Sequence, residues 1–547
     1  MNRTLDSTQA LGFRAEGRTA ADDLVQRLEQ LHAIGTSLSA ERDIDRLLEA
    51  ILTASKSITR ADGGTLYRLA GDGTLRFEIV RTSSLKLYLG GTTGNPIPFY
   101  PIHLEGKDGK PNHSMVAAYA ALTGKTVNIA DAYTADGFDF TGTRNFDKKT
   151  GYRSKSFLTV PMANHEHEVI GVLQLINAQD PKTGEVVPFS PADQRLAESL
   201  ASQAAIALTN RMLINQLEQL FESFIALINT AIDEKSPYTG GHCQRVPALT
   251  MMLAEAVNET TDGPLRDFQM TDKDRYELKI AGLLHDCGKV TTPVHVVDKA
   301  TKLEGIYDRI HLLDTRFEIL KRDAEIAMLK EGTPEAGMRY REKLRRIEED
   351  RMFLRAANIG GERMREDDVE RIRRIAEYRW TDVSGHEAKF LSEDELNNLT
   401  IRAGTLTPEE RQVINHHIVA TIKMLEALPW PRHLKNVPEY AGGHHERMDG
   451  KGYPRGLTRE QMSVQARVMG IADIFEALTA KDRPYKKGKT LSESLEILGR
   501  MSLNGHIDPA LFDVFVRRKI YLRYAEMFLD KEQIDDVDEA KVPGYSP

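Results

Sequence analysis

The residues best suited to chemistry in this chain are His444-His445-Glu446, two adjacent imidazoles and a carboxylate set just before Asp449-Gly450-Lys451-Gly452-Tyr453-Pro454. Neighbouring residues on a helix diverge by about 100°, so the two imidazoles are expected to face two neighbouring ions rather than one in the same way. Upstream, Leu283-Leu284-His285-Asp286-Cys287-Gly288-Lys289 ends an apolar helical run with an imidazole and a carboxylate at one point. A carboxylate there can bridge two cations while the imidazole ligates one of them. A cation is also the simplest partner for an Asp in buried surroundings. Lys289, one turn on, adds a positive charge suited to a phosphate oxygen.

Three further residues follow from the elements that must carry them. Thr407-Pro408-Glu409-Glu410 is a Thr-x-x-Glu capping box with Pro at the first helical position. In the helix it opens, Val413, Ile414, Ile418, Thr421, Met424 and Leu425 form an apolar stripe. His417 lies inside that stripe and His416 is turned away from it. His242 follows the loop Ser236-Pro237-Tyr238-Thr239-Gly240-Gly241 and opens a helix whose inward positions are Val246, Leu249, Met252, Leu253 and Ala256. Asp473 sits in the almost wholly apolar helix around Val468–Phe475, where it should be metal-bound or salt-bridged.

Assembled in order, these residues resemble the HD-GYP family, cyclic di-GMP phosphodiesterases built on the helical HD-domain fold. The match runs from about Ile232 to Arg517. It takes in Tyr238-Thr239-x-x-His242, His285-Asp286-x-x-Lys289, Thr407-Pro408-Glu409-Glu410 through His417, His444-His445-Glu446, Asp449-Gly450-x-Gly452-Tyr453-Pro454, Asp473 within Ala-Asp-Ile-Phe-Glu-Ala-Leu-Thr, and Asp482-Arg483-Pro484-Tyr485-Lys486. The resemblance implies His242, His285, Asp286, His417, His444, His445 and Asp473 as metal ligands, with Asp286 bridging. Asp286 and Lys289 are the catalytic candidates, and Lys289, Tyr453, Arg483 and Lys486 would contact substrate. Two divalent ions are expected, and a His-dominated set with a few carboxylates suits iron or manganese. A third metal is left open, because Tyr238 stands one turn before His242 and the nearest acid is Glu234. Two departures stand out. About residues 300 to 403 interrupt the segment between His285-Asp286 and His417, with long helical periodicity and many Arg and Glu, which predicts a charged helical hairpin. His311 in that insertion is a rival to His417, which the capping box favours. One extra residue also separates Asp473 from Arg483. Cys243 and Cys287 adjoin proposed ligands and are read as small buried side chains.

The chain has 547 residues, a net charge of −8 and two cysteines. That length suits three or more domain-sized units. The spread, mildly acidic charge gives no nucleic-acid footprint, and the cysteines give no disulfide framework, which fits a reducing cytosol. No apolar run approaches a membrane span and no signal peptide is read, so a cytoplasmic protein is expected. From about 25 to 210 the order is helix, strands, loop, strands, helix, an α+β pattern. Val127-Asn128-Ile129-Ala130-Asp131-Ala132-Tyr133, then Thr150-Gly151-Tyr152 and the strand pair Ser156–Met162 and Glu168–Asn177, resemble a GAF domain. Cyclic-nucleotide-binding GAF domains carry an Asn-Lys…Phe…Asp-Glu pattern, where this chain has Asn177-Ala178, Phe189 and Asp193-Gln194. Another small ligand, or a dimerisation module without one, fits better. From Ala192 to Ile232 the chain lacks Pro and Gly, and Leu213, Leu217, Leu220, Phe224 and Leu227 alternate in steps of four and three. That spacing predicts a parallel coiled coil between two protomers, running toward His242.

The expected layout is multidomain. It comprises a disordered leader (1–22), an α+β GAF sensory domain (23–195), a long connecting helix (196–232), an all-α HD-type catalytic domain (233–520) with its insertion, and a C-terminal tail (521–547). The expected activity is metal-dependent hydrolysis of cyclic di-GMP to the linear dinucleotide by a homodimer, with further hydrolysis to GMP left open. The competing readings are an HD-type phosphohydrolase acting on another nucleotide and a non-catalytic cyclic di-GMP receptor.

Overall fold

The structure is a computed structural model and describes residues 27, 29, 31–36, 38, 41, 43–106, 108–235, 241–361, 363–481 and 488–545. The leader 1–22, Tyr238, and the candidate contacts Arg483 and Lys486 lie outside the described residues. The chain divides into two compact units, Met1–Phe221 and Glu222–Pro547.

The first unit is built on an antiparallel sheet. Its strands are β1 (Ala61–Leu69), β2 (Thr74–Thr82), β3 (Leu87–Gly90), β4 (Ile102–His103), β5 (Val127–Ile129), β6 (Phe157–Ala163), β7 (Val169–Gln179) and β8 (Val186–Val187). They run in the order β3-β2-β1-β7-β6-β5, with β4 on β2 and β8 on β7. Alternation along β1 decides the layers. Leu66 joins Leu48, Ile51 and Leu52 of α1 (Ile44–Thr59) and Leu200 and Ala204 in one core. Tyr67 turns to the opposite face, with Ala117, Ala118 and Ala121 of α2 (Val116–Thr123). α3 (Thr141–Thr150) lies nearby in chain order, and α4 runs unbroken from Pro191 to Lys235. The helix, strand and hairpin order expected from the sequence is thus present.

The second unit is helical. It contains α5 (His242–Asn258), α6 (Asp272–Leu284), then the insertion, then α11 (Pro408–Glu426), α12 (Val437–Gly442), α13 (Val464–Thr479), α14 (Leu491–Leu503), α15 (Pro509–Arg517) and α16 (Ile520–Phe528). α5 packs on α6 and α13, α12 packs on α6, α11 and α13, and α11 packs on the turn Cys287–Thr291. One glycine makes that last contact feasible. A Cβ on Gly288 would stand 2.0 Å from the His417 carbonyl oxygen, so only glycine lets the His285-Asp286 turn press against α11.

The insertion is more than the predicted hairpin. α7 (Ile310–Glu331) and α8 (Pro334–Asn358) do pair, but α9 (Glu366–Ala376), a two-stranded ribbon β9 (Arg379–Thr381) and β10 (Glu387–Lys389), and α10 (Glu393–Leu399) follow. Leu313, Phe317, Leu354, Ile372, Phe390 and Leu399 bury a core of their own. This apolar set is spread over some ninety residues, so the surrounding Arg and Glu mask it in any short window. His311 is exposed at the start of α7.

The cap predicted for α11 forms in full: the Thr407 hydroxyl accepts from the Glu410 amide and the Thr407 amide donates to the Glu410 carboxylate. Buried Lys299 also donates to that carboxylate, at 2.7 and 2.9 Å. Thr407→Ala is expected to cost about 1 kcal/mol, read as a lower denaturation midpoint of the helical signal with an unchanged slope.

Candidate metal centre

Four histidines converge here with their tautomers already fixed. The Nδ1 atoms of His285, His417 and His444 donate to the carbonyls three residues earlier, of Gly282, Ile414 and Ala441, at 2.7, 2.6 and 2.6 Å. His242 directs Nδ1 at the Glu476 carboxylate, 2.6 Å away. With the proton held on Nδ1, each ring turns an Nε2 lone pair inward, which is the arrangement a metal-ligating histidine needs.

The inward atoms meet at short range. His242 Nε2 lies 3.0 Å from Asp286 Oδ2 and 3.4 Å from Asp473 Oδ1. His285 Nε2 is 3.3 Å from His242 Nε2, and His445 Nε2 is 3.2 Å from His417 Nε2. Three donor groups emerge, each with ligand atoms within 4.8 Å of one another: His242 with His285 and Asp473, His285 with Asp286 and His444, and His417 with His444 and His445. All seven sequence-proposed ligands fall in them, and His416 is exposed on the far side of α11.

His444 and His445 correct one expectation. They sit in the turn after α12, not on a helix, and their ring centroids are 4.1 Å apart. Both therefore reach the group around His417, and His444 also reaches the one around Asp286.

The electrostatics favour cations. Burial opposes charge on His242, but Glu476 and Asp286 outweigh it and raise its pKa to about 10, so without a metal its Nε2 holds a proton that a bound cation would displace to free the lone pair. His444, buried and beside His285, is depressed to about 4, and His445 is also pushed well down by burial and its imidazole neighbours. Both rings keep their lone pairs at neutral pH. Burial opposes charge on Asp286 too, yet Lys289 and His285 hold its carboxyl well below the usual range. Asp286 Oδ1 and His444 Nε2 are buried with no hydrogen-bond partner among the described residues. Buried acceptors without donors are costly, and the Nε2 atoms of His445 and His417 face one another at 3.2 Å, where a cation between them would satisfy both. The donor set fits divalent metal.

The surrounding residues have separate tasks. Lys289 Nζ donates to Asp286 Oδ2 at 2.5 Å. Tyr453 stacks on His445, with centroids 4.9 Å apart and planes 23° from parallel. Glu446 is buried and accepts from the amides of Arg455 and Leu457, bracing the Gly-Tyr-Pro loop, and it falls outside the three donor groups. Cys243 and Cys287 are buried and free, with thiol pKa values raised by burial to about 12 and about 11, as expected of packing side chains.

Two residues escaped the sequence reading. Glu476, 1% exposed, joins His242 to Arg245, whose Nη2 is 2.7 Å away. Its place one turn after Asp473 in an apolar helix was the available signal. Glu476→Gln is expected to weaken metal binding about 10- to 100-fold, measured by competition against a chelator. Lys235, the last residue of α4, donates to the backbone carbonyls of Lys289 and Val290. Asp233 of the same turn accepts from the Gly241 amide at 3.5 Å. The end of this helix therefore holds the turn that carries Lys289.

Comparisons with known proteins agree with this architecture. Models of the HD domain family match residues 239–376 and 393–511, and a GAF domain model matches residues 43–208. A 3′3′-cGAMP-specific phosphodiesterase of Vibrio cholerae is 24% identical over 357 residues, covering 63% of this chain and 52% of that protein. A cyclic di-GMP phosphodiesterase of Pseudomonas aeruginosa is 38% identical over 116 residues, covering 21% and 27%. The chain thus spans about half, or less, of the length of these curated relatives. The GAF domain of an Acinetobacter phosphoenolpyruvate-protein phosphotransferase aligns with 35% of this chain and 98% of its own at 14% identity and a TM-score of 0.26.

Proposed function

We propose, from the premise that the chain belongs among proteins carrying a GAF domain ahead of an HD domain, that it is a metal-dependent phosphodiesterase of the HD-GYP type acting on cyclic di-GMP. The observation that carries this reading is the convergence of His285, Asp286, His417, His444 and His445 beside Lys289. Binuclear centres supply a nucleophilic water at neutral pH and a clamp on the attacking and leaving oxygens of a phosphodiester. The protein's own groups do the rest. Asp286 spans the two sides of the site, with Oδ2 toward His242 and Oδ1 toward His417 at 3.2 Å. Lys289 offers an ammonium to a substrate phosphate oxygen, and Asp286 and Asp473 outweigh burial to keep its pKa raised. Tyr453 presents a flat ring above His445, and burial raises its hydroxyl to about 12, so it stays a donor. The linear dinucleotide is the product proposed, with iron or manganese as the metal.

A second substrate, 3′3′-cGAMP, is favoured by the names of two relatives. Turnover of both dinucleotides by the manganese-loaded full chain, with products separated by chromatography, decides between them. Metal uptake without turnover of either would leave the receptor reading in place of the enzyme.

A homodimer is part of the proposal. Leu213, Leu217, Leu220, Phe224 and Leu227 are 46–64% exposed along α4, and such a stripe suits a second copy. No helix among the described residues is long and apolar enough to cross a membrane. Regulation would pass through the last turn of α4 to the Lys289 turn. Lys235→Met is expected to lower kcat/KM about tenfold, the worth of one charge-assisted hydrogen bond, with metal content unchanged and partial recovery in Lys235→Arg.

A further inference from the structure

We infer that the GAF unit binds a neutral, flat, largely apolar molecule of one to three rings and rejects cyclic nucleotides. The site is a cavity of about 290 Å³ on the sheet face turned away from α1, between β1, β2 and β7 on one side and α2 and α3 on the other. Aromatic rings form its walls. Tyr67 and Phe77 have centroids 4.7 Å apart, Phe77 and Phe99 5.3 Å, and Phe99 and Phe146 6.3 Å, with Phe140 and Phe157 completing the lining.

The polar groups that reach the cavity are largely engaged. The Tyr67 hydroxyl donates to the Gln174 amide oxygen, whose amide nitrogen donates to Thr159, both at 3.1 Å. Tyr152 donates to Asp62 at 2.7 Å, and Ser154 to Asp147 at 2.8 Å. Among the described residues no Lys or Arg lines the space, and the one charged group there, Asp139, is a carboxylate. A phosphodiester entering would be desolvated without a counter-charge and would face an anion, both of which oppose its binding. A neutral ring system loses nothing polar and gains apolar burial on both faces.

The residues at the cyclic-nucleotide motif positions do other work. Asn177 Oδ1 accepts from the amides of Lys155 and Ser156, Phe189 is in the core beside α1, and Asp193 pairs with Arg27. Gln194 holds Asn128, and none of these four residues lines the cavity.

The test uses two fluorescent probes that differ by one sulfonate: N-phenyl-1-naphthylamine, which is neutral, and 8-anilino-1-naphthalenesulfonate. With the full-length chain, the neutral probe should bind saturably at one site per chain, and the sulfonate at least about tenfold more weakly. Thr143→Trp on α3 and Met115→Trp at the other lip, both at partly exposed lining positions, should each abolish that binding while leaving the helical melting curve in place. Excess cyclic GMP should displace nothing. Absent binding of the neutral probe, binding indifferent to both tryptophans, or displacement by cyclic GMP would each overturn the inference. These readouts involve no turnover, so their outcome is independent of the phosphodiesterase reading.

Discussion

Replacing Asp286 with alanine is expected to cost at least about 10³-fold in the proposed cyclic dinucleotide turnover and to strip metal from the protein at the same time. The reason is position. Asp286 is 2% exposed, and its two oxygens reach His242 and His285 on one side and His417 on the other, at 3.0, 3.3 and 3.2 Å. Asp473 is the other carboxylate in the donor groups, and among the described residues its ion-pair contacts are with His242 and His285. Loss of Asp286 thus removes the carboxylate that, among the described residues, reaches both sides, while Asp473 preserves part of one. Metal content after gel filtration, measured beside initial rates, is the check. A variant that keeps the full metal complement and loses activity would remove the bridging role and leave Asp286 as an anchor for Lys289. Asp286→Asn separates charge from shape. It retains the packing, so a similar loss of metal there assigns the effect to charge.

Much of this centre was legible because its pieces are local. His417 could be read from the apolar stripe of α11, and the Thr407 cap fixed where that helix begins. The stripe did not reveal its own centre. His417, Ile418, Thr421, Ile422 and Leu425 are buried, whereas Val413 and Met424 are 41% and 38% exposed. At about 100° per residue, Val413 and Met424 fall on the outer side of His417. The buried arc starts at that histidine and runs away from them. His417 thus stands at the edge of the packed face, where a ligand can look into an open site. Periodicity alone places it in the middle.

Other features depend on contacts that no window of sequence contains. The Gly288 amide donates to Thr421 Oγ1 at 2.9 Å, fixing the His285-Asp286 turn against a helix more than a hundred residues later. The insertion lies between them, and its core is assembled from apolar residues scattered among charges. Glu476 has its partners, His242 and Arg245, at the start of α5, more than two hundred residues earlier. In the sheet unit the strand pair Ser156–Met162 and Glu168–Asn177 was legible, but the cavity required knowing which face of β1 the helices α1 and α4 cover.

Lys289→Met should lower kcat/KM about 10²- to 10³-fold while metal content stays normal. That combination is what distinguishes a phosphate-binding cation from a ligand or a scaffold residue. Lys289 offers no lone pair while its ammonium is held by Asp286, and none of the donor groups includes it. Methionine keeps most of the buried stem, so the turn Cys287–Thr291 retains its packing against α11 and Gly288 its hydrogen bond to Thr421. Removing the ammonium leaves Asp286 with its imidazole neighbours as the remaining compensation, which a bound metal would supply more strongly than Lys289 does. The variant should therefore bind metal at least as tightly as the unmodified protein. The pH profile adds a sign. Burial alone would depress the Lys289 pKa, but Asp286 and Asp473 raise it above the ordinary lysine value. Without bound metal these carboxylates thus favour the ammonium form. The Met variant should show the same pH profile as the parent at a uniformly lower level. A profile that changes shape, or metal that is lost with the side chain, would place Lys289 in the support of the ligand set and leave the substrate phosphate to be held by other groups.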